Sequence, residues 1–206
     1  MTREVNMKGR ESGMPAEDWW ASFFDAEAAI KLFVGQEAVE GEVVEFGSGY
    51  GTFTLPVARH CHGTVNALDI EPAMVTRVQE QAQANQLTNI RADLRDFVAQ
   101  GSGLESGSQA HAMIYNLLHL ENPVALLKEA HRVLAVGGTL SVMHWRRDIA
   151  TPRGPSLDIR PSPEQCRTWL KEAGFHSVQT VNLQAACPFH FGLLATRSSL
   201  TERNRP

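Results

Sequence analysis

Three glycines two apart, Gly47, Gly49 and Gly51, follow directly on the run Val43-Val44-Glu45-Phe46. Glycine tolerates positive φ and has no Cβ, so such a turn lets the chain reverse sharply and lets a ligand come close to the backbone. Free N–H groups at the start of a following helix would then suit a carboxylate or a phosphate. Asp69 ends a second apolar run, eighteen residues after Gly51, near the separation of about 20 at which a carboxylate grips ribose hydroxyls. The plainer role for Asp69 is to cap the helix that opens at Glu71-Pro72. A dinucleotide fingerprint would read GxGxxG, and here the third glycine comes one residue early, which argues against NAD. His119 and His144 add the chemistry of a base. Each stands near the end of a strand-like run, on the edge where open α/β sheets meet ligands, and for each the alternative is capping or packing. His60 and His62 flank Cys61 with no second pair of ligands nearby, so no metal site is expected.

These residues need elements to hold them. From Gly41 onward, short β-branched runs alternate with amphipathic stretches, the pattern of βαβ units and a parallel sheet. Strands are expected at 42–46, 64–70, 89–94, 111–117 and 139–145, with a final hairpin at 176–183 and 189–196. Helices are expected over 52–59, from Pro72, and from Asn122-Pro123 to a stop at Gly137-Gly138. Another should open at the capping box Ser162-Pro163-Glu164-Gln165. A single helix is expected over 17–34, with Trp19, Trp20, Phe23 and Phe24 forming either a lid or core packing. The Gly/Ser-rich stretch 101–108 reads as mobile. The stretch 146–161, broken by Pro152, Gly154, Pro155 and Pro161, reads as a long loop of the kind that often serves function.

Bulk properties exclude several classes. A chain of 206 residues, 43% hydrophobic and 20% charged, can bury one proper core. A net charge of −4 offers no broad basic footprint for nucleic-acid phosphates. Three scattered cysteines suit a reducing compartment, and the charged N-terminus has no apolar signal region, so a cytoplasmic location is expected. No apolar run reaches the roughly 18 residues of a membrane span.

Taken together, Glu45, the GxGxG turn and Asp69 resemble the class I S-adenosylmethionine-dependent methyltransferases. The similarity extends through Asn89 to Phe97, Met113 to Pro123 and Leu126 to Leu140, and is nearest to the small-molecule branch. It implies a Rossmann-like three-layer sandwich with a seven-stranded, mostly parallel sheet whose last strand is antiparallel. It implies S-adenosylmethionine as cofactor, held by Glu45, Gly47, Gly49, Gly51, Asp69, Ile70, Asp96, Phe97 and Asn116. Asp93 is a competing register for Asp96, which could also cap a short helix before Gly101. The chain departs from the family where an aromatic-Asp pair often opens the fourth strand, having Ala110-His111 there. An Asn-Pro-Pro-Tyr type motif is also absent after Asn116, which disfavours nucleobase amines as acceptors.

The expected organisation is a helical cap over 1–40, the catalytic domain over 41–197 and a polar tail over 198–206. The expected partner is a small-molecule methyl acceptor, selected by 1–34 and 146–161. Methyl transfer needs little beyond orientation and exclusion of water, with His119 or His144 as base if the acceptor loses a proton. A nicotinamide-dependent oxidoreductase and a non-catalytic nucleoside-binding module are the other readings of the same residues.

Overall fold

The computed structural model describes residues 13–198. The start of the charged N-terminus (1–12) and the tail over 199–206 lie outside the described residues. Five parallel strands build the centre: β1 (Glu42–Phe46), β2 (Val65–Asp69), β3 (Ile90–Leu94), β4 (Gln109–Tyr115) and β5 (Leu134–Trp145). β6 (Ser177–Val181) and β7 (His190–Thr196) complete a seven-stranded sheet of order β3-β2-β1-β4-β5-β7-β6. β7 runs antiparallel to both of its neighbours. The chain winds outward from β1 to β3 and then restarts at β4. β1 and β4 are therefore adjacent, and their carboxyl ends form the crevice where open α/β sheets bind ligands.

Alternation along the strands feeds both faces of the sheet. Val44, Phe46, Ile114, Leu140 and Val142 pack with Leu126, Leu127 and Ala130 of α6 (Pro123–Val133) and with Leu170 of α7 (Pro163–Glu172). Val43, Val65, Met113 and Met143 face the other way. They pack with Ile30 and Phe33 of α2 (Ala26–Val34) and Val57 of α3 (Thr54–Arg59). α4 (Pro72–Ala84) buries Met74, Val75 and Val78 between β2 and β3, and α5 (Phe97–Gln100) is a single turn.

Several elements differ from the sequence reading. The helix expected over 17–34 is two, α1 (Glu17–Ala21) and α2, because the Asp25 side chain accepts from Ala28 N and starts a new helix. Gly137-Gly138 does not stop α6, which ends at Val133 and passes straight into β5. The glycines sit inside that strand, where a Cβ on Gly138 would lie 2.9 Å from the Ala135 carbonyl. β4 ends at Tyr115 rather than at 117, because Asn116 adopts φ +59°. The 101–108 stretch is stapled down. Ser102 N and Oγ donate to Glu129 at 2.7 and 2.5 Å, and Arg132 reaches the Leu104 carbonyl and Ser106 Oγ at 2.8 and 2.9 Å. The Arg132 bond, with the Ser102 donors beside it, holds the Glu129 carboxyl down to about 2.

Candidate active site

The glycine turn is hung on the end of β2. Gly47 N and Ser48 N donate to the Leu68 carbonyl at 2.8 and 3.1 Å, and Gly49 N donates to Asp69 Oδ2 at 2.8 Å. The other carboxylate oxygen of Asp69 accepts from Glu71 N at 2.9 Å. Asp69 therefore both shapes the turn and opens α4, and burial pushes its carboxyl up against the pull of those two N–H groups. The three glycines have φ of +75°, +51° and +81°, and their surroundings divide their roles. A Cβ on Gly51 would meet Leu55 at 2.8 Å and Val78 at 3.3 Å, so that glycine serves helix packing. On Gly49 it would meet only the flexible end of Met14, at 3.2 Å, so this residue forms the open cradle.

Glu45 lies beneath the turn, 3% exposed, with Thr54 Oγ1 donating to its carboxyl group. Burial, opposed by the Thr54 bond and aided by the charge of Asp69, pushes its pKa up to about 8. Asp96 accepts from Ala99 N as the cap of α5, and Asp93 is ion-paired with Arg91. Phe97 is a core residue, its ring edge-on to Phe46 at 5.4 Å.

Beside the turn opens a cavity of about 470 Å³. Its polar wall is Ser48, Gly49, Asn116 and His119, and its apolar wall includes Trp20, Phe53, Tyr115, Leu117 and Trp145. Ser48 Oγ and both carboxamide atoms of Asn116 are buried there with no hydrogen-bond partner. Each such atom costs about 1–3 kcal/mol when left unmatched, which points to a polar ligand as the missing partner. Trp20 Nε1 donates to Thr52 Oγ1 at 3.1 Å, fixing that ring against Trp145. Of the N-terminal aromatic cluster, Trp20 is cavity wall, Phe23 is core and Trp19 faces solvent.

His119 Nδ1 lies 3.2 Å from His144 Nε2, and His144 Nδ1 lies 3.3 Å from the Trp145 carbonyl. A carbonyl only accepts, so His144 carries its proton on Nδ1, accepts from His119 through Nε2, and leaves His119 Nε2 as the free lone pair. Burial, followed by the charge of Arg160, holds His119 below the ordinary histidine range. Burial and then His119 hold His144 well below it. His144 is fully buried and, unlike His119, is not on the cavity wall. His111, where the family has its aromatic-Asp pair, is bonded by the hydroxyls of Thr139 and Ser141 at 2.7 and 2.9 Å.

Sequence reasoning missed Ser48, Phe53, Tyr115, Arg153 and Arg160. The available signal for the two arginines was the breaker-rich loop that carries them, directly after the last parallel strand. His62 pairs with Glu40 at the surface, and among the described residues no cluster of histidine, cysteine or carboxylate could hold a metal.

The family profile of the methyltransferase domain matches residues 43–138, from β1 through the glycines of β5. The matched stretch spans just under half of the chain and is similar to a methyltransferase domain. No curated protein sequence matches the chain. Among solved structures it is similar to a SAM-dependent methyltransferase from Aquifex aeolicus, with TM-score 0.73 and 22% identity over 85% of this chain and 90% of that one. It is also similar to the [4+2]-cyclase SpnF, with TM-score 0.67 and 17% identity over 84% and 79% of the two chains. A third is a geranyl diphosphate methyltransferase in complex with SAM, with TM-score 0.64 and 14% identity over 84% of each chain. At these identities the likeness is one of fold. Among the described residues no helix is long and apolar enough to cross a membrane.

Proposed function

We propose that the protein transfers the methyl group of S-adenosylmethionine to a small-molecule acceptor held in the aromatic-walled cavity. The observation that carries this reading is the set of unmatched polar atoms, Ser48 Oγ and the Asn116 carboxamide, on the wall of that cavity at the β1/β4 crevice. S-adenosylmethionine supplies an electrophilic methyl on a sulfonium and leaves as S-adenosylhomocysteine.

In this reading Gly47 and Gly51 form the turn, and Gly49 admits the ligand. The Asp69 oxygens each accept one backbone N–H and keep lone pairs for the ribose hydroxyls. Ile70, Asp96 and Phe97, beyond the ends of β2 and β3, form the adenine side, and Asn116 with Ser48 holds the amino-acid end. Glu45 supports the turn from below. His119 Nε2 accepts the proton of an acceptor that carries one, and His144 keeps the ring oriented. The aromatic wall excludes water, so orientation and desolvation supply most of the rate. Residues 1–40 act as the cap, 41–197 as the catalytic domain and 198–206 as the tail.

Calorimetry tests the cofactor half: saturable binding of S-adenosylhomocysteine without binding of NAD is expected, and the reverse would sink the reading. Incubation with S-adenosylmethionine and a panel of small-molecule acceptors should yield S-adenosylhomocysteine and a methylated product, detected by mass spectrometry. Chemistry on an acceptor without release of S-adenosylhomocysteine would assign the protein to a non-methylating use of the fold, since one fold hosts several chemistries.

A further inference from the structure

The cavity carries a charge asymmetry that the methyl-transfer reading does not use. Among the described residues no aspartate or glutamate lines it, and Arg153 is the one formally charged wall residue. Among the described residues the Arg153 guanidinium has no carboxylate partner, and its hydrogen bond goes to the Gly13 carbonyl at the cavity rim. The loop is built to hold it there. Gly154 has φ +126°, and a Cβ at that position would lie 2.7 Å from the Arg160 guanidinium and 2.9 Å from the Trp145 ring. Only glycine lets the chain pass so close to both. Arg160, 6% exposed, donates to the carbonyls of Arg146 and Pro155 and to Thr151 Oγ1. It braces the loop from behind and adds a second positive charge near the same space, which His119 feels.

Two cations and, among the described residues, no lining carboxylate favour an anionic group on an acceptor at this end of the cavity. The same cavity is lined by Trp20 and Trp145, whose ring centroids lie 6.3 Å apart at 65°, and by Phe53. Fixed aromatic faces favour a flat ring over a flexible chain.

We propose that the methyl acceptor is an aromatic acid, its ring against Trp20, Phe53 and Trp145 and its carboxylate on Arg153. The planar guanidinium matches a carboxylate with two parallel bonds, and an anionic oxygen is a stronger partner than the Gly13 carbonyl it would replace. This inference rests on the methyl-transfer reading of the same cavity.

The test titrates the protein by calorimetry, first with S-adenosylhomocysteine and then, in its presence, with 2-naphthoate and with 2-naphthamide. The two probes share a ring and differ in charge. Naphthoate is expected to bind about tenfold or more tighter than naphthamide, the usual size of one charge-assisted contact. In Arg153→Gln that advantage should vanish while naphthamide affinity stays within about twofold, and Arg153→Lys should recover part of it. Arg153 stands at the rim rather than in the core, and unchanged naphthamide binding certifies the fold of the variant. Equal binding of the two probes by the wild type, or an undiminished preference in Arg153→Gln, overturns the inference. Binding of S-adenosylhomocysteine without binding of either probe overturns it while leaving the cofactor reading intact. Failure to bind S-adenosylhomocysteine overturns both.

Discussion

Gly49 and Gly51 look equivalent in the GxGxG turn, yet their surroundings predict opposite phenotypes. Gly51→Ala forces a methyl to 2.8 Å from Leu55 Cδ1 at φ +81°, so overpacking should cost about 1–3 kcal/mol and lower the melting temperature by several degrees. Gly49→Ala meets only the end of Met14, at φ +51°, where an L-residue costs about 1–2 kcal/mol. Its main effect should be a loss of at least tenfold in S-adenosylhomocysteine affinity. Melting curves and calorimetry on the two variants check this. A Gly49→Ala protein with wild-type affinity would mean the turn is only structural. Glu45 gives a second test. Its folded pKa of about 8 stands above the ordinary carboxylate value of 4.5, so the folded state holds the proton more tightly than the unfolded chain. That stabilisation is complete below about pH 4.5 and is lost as pH rises through 8. Glu45→Gln keeps the shape and removes the titration. Its melting temperature should gain on wild type progressively from pH 5 to 9, and parallel curves would rule the buried carboxyl out as the cause.

Among the elements, the Glu129–Arg132 staple is the one that local sequence misrepresents. Arg132 bonds Glu129 Oε2 at 2.8 Å and the Leu104 carbonyl at 2.8 Å, so α6 holds the 101–108 stretch against the sheet. Arg132→Met leaves the Leu104 carbonyl and the Glu129 carboxylate without this partner. A destabilisation of about 1–3 kcal/mol is expected. Backbone amides of 102–107 should exchange at least tenfold faster, while those of β1 and β4 slow or speed only with global stability. If exchange in the loop is already fast in the wild type, the staple does not hold it. β4 is buried along nearly its whole length and pairs in parallel with β1 and β5 in one register from His111 onward, after an irregularity at Gln109.

The molecule as a whole buries histidines. His111 and His190 are pushed down by burial to about 4 and about 3, and His144 lies well below the usual range for the same reason. Each is neutral in the fold and protonates near pH 6.5 once unfolded. For His111 and His190 that contribution is therefore complete above about pH 6.5 and is lost as pH falls through 4 to 3, and His144 adds to it in the same direction. Glu45 works in the other direction, between about pH 4.5 and 8. Three groups against one make the acid limb steeper. The melting temperature should peak near pH 6.5, drop sharply toward pH 4 and decline gently toward pH 8. A flat profile between pH 4 and 6.5 would show that the histidines are hydrated and titrate freely. The same burial, followed by the charge of Arg160, shifts His119 in the same direction.

The succession of strands along the chain, the glycine turn and the carboxylate closing β2 were legible in the sequence, because each depends on neighbours within a few residues. β-branched runs, breakers and Pro at helix starts act locally. So does the capping box at Ser162, which the structure contains as read. What the tertiary structure decided is everything that depends on distant segments meeting. Trp20, Phe53, Asn116, Trp145 and Arg153 share one cavity wall although they come from five separate stretches of chain. Gly51 differs from Gly49 because Leu55 of α3 and Val78 of α4 pack against it. The 101–108 stretch is tied down by Arg132, and burial keeps His144 off the cavity wall that His119 lines. Charge state, exposure and contact are set by what packs against a residue, and no spacing along the chain carries that information.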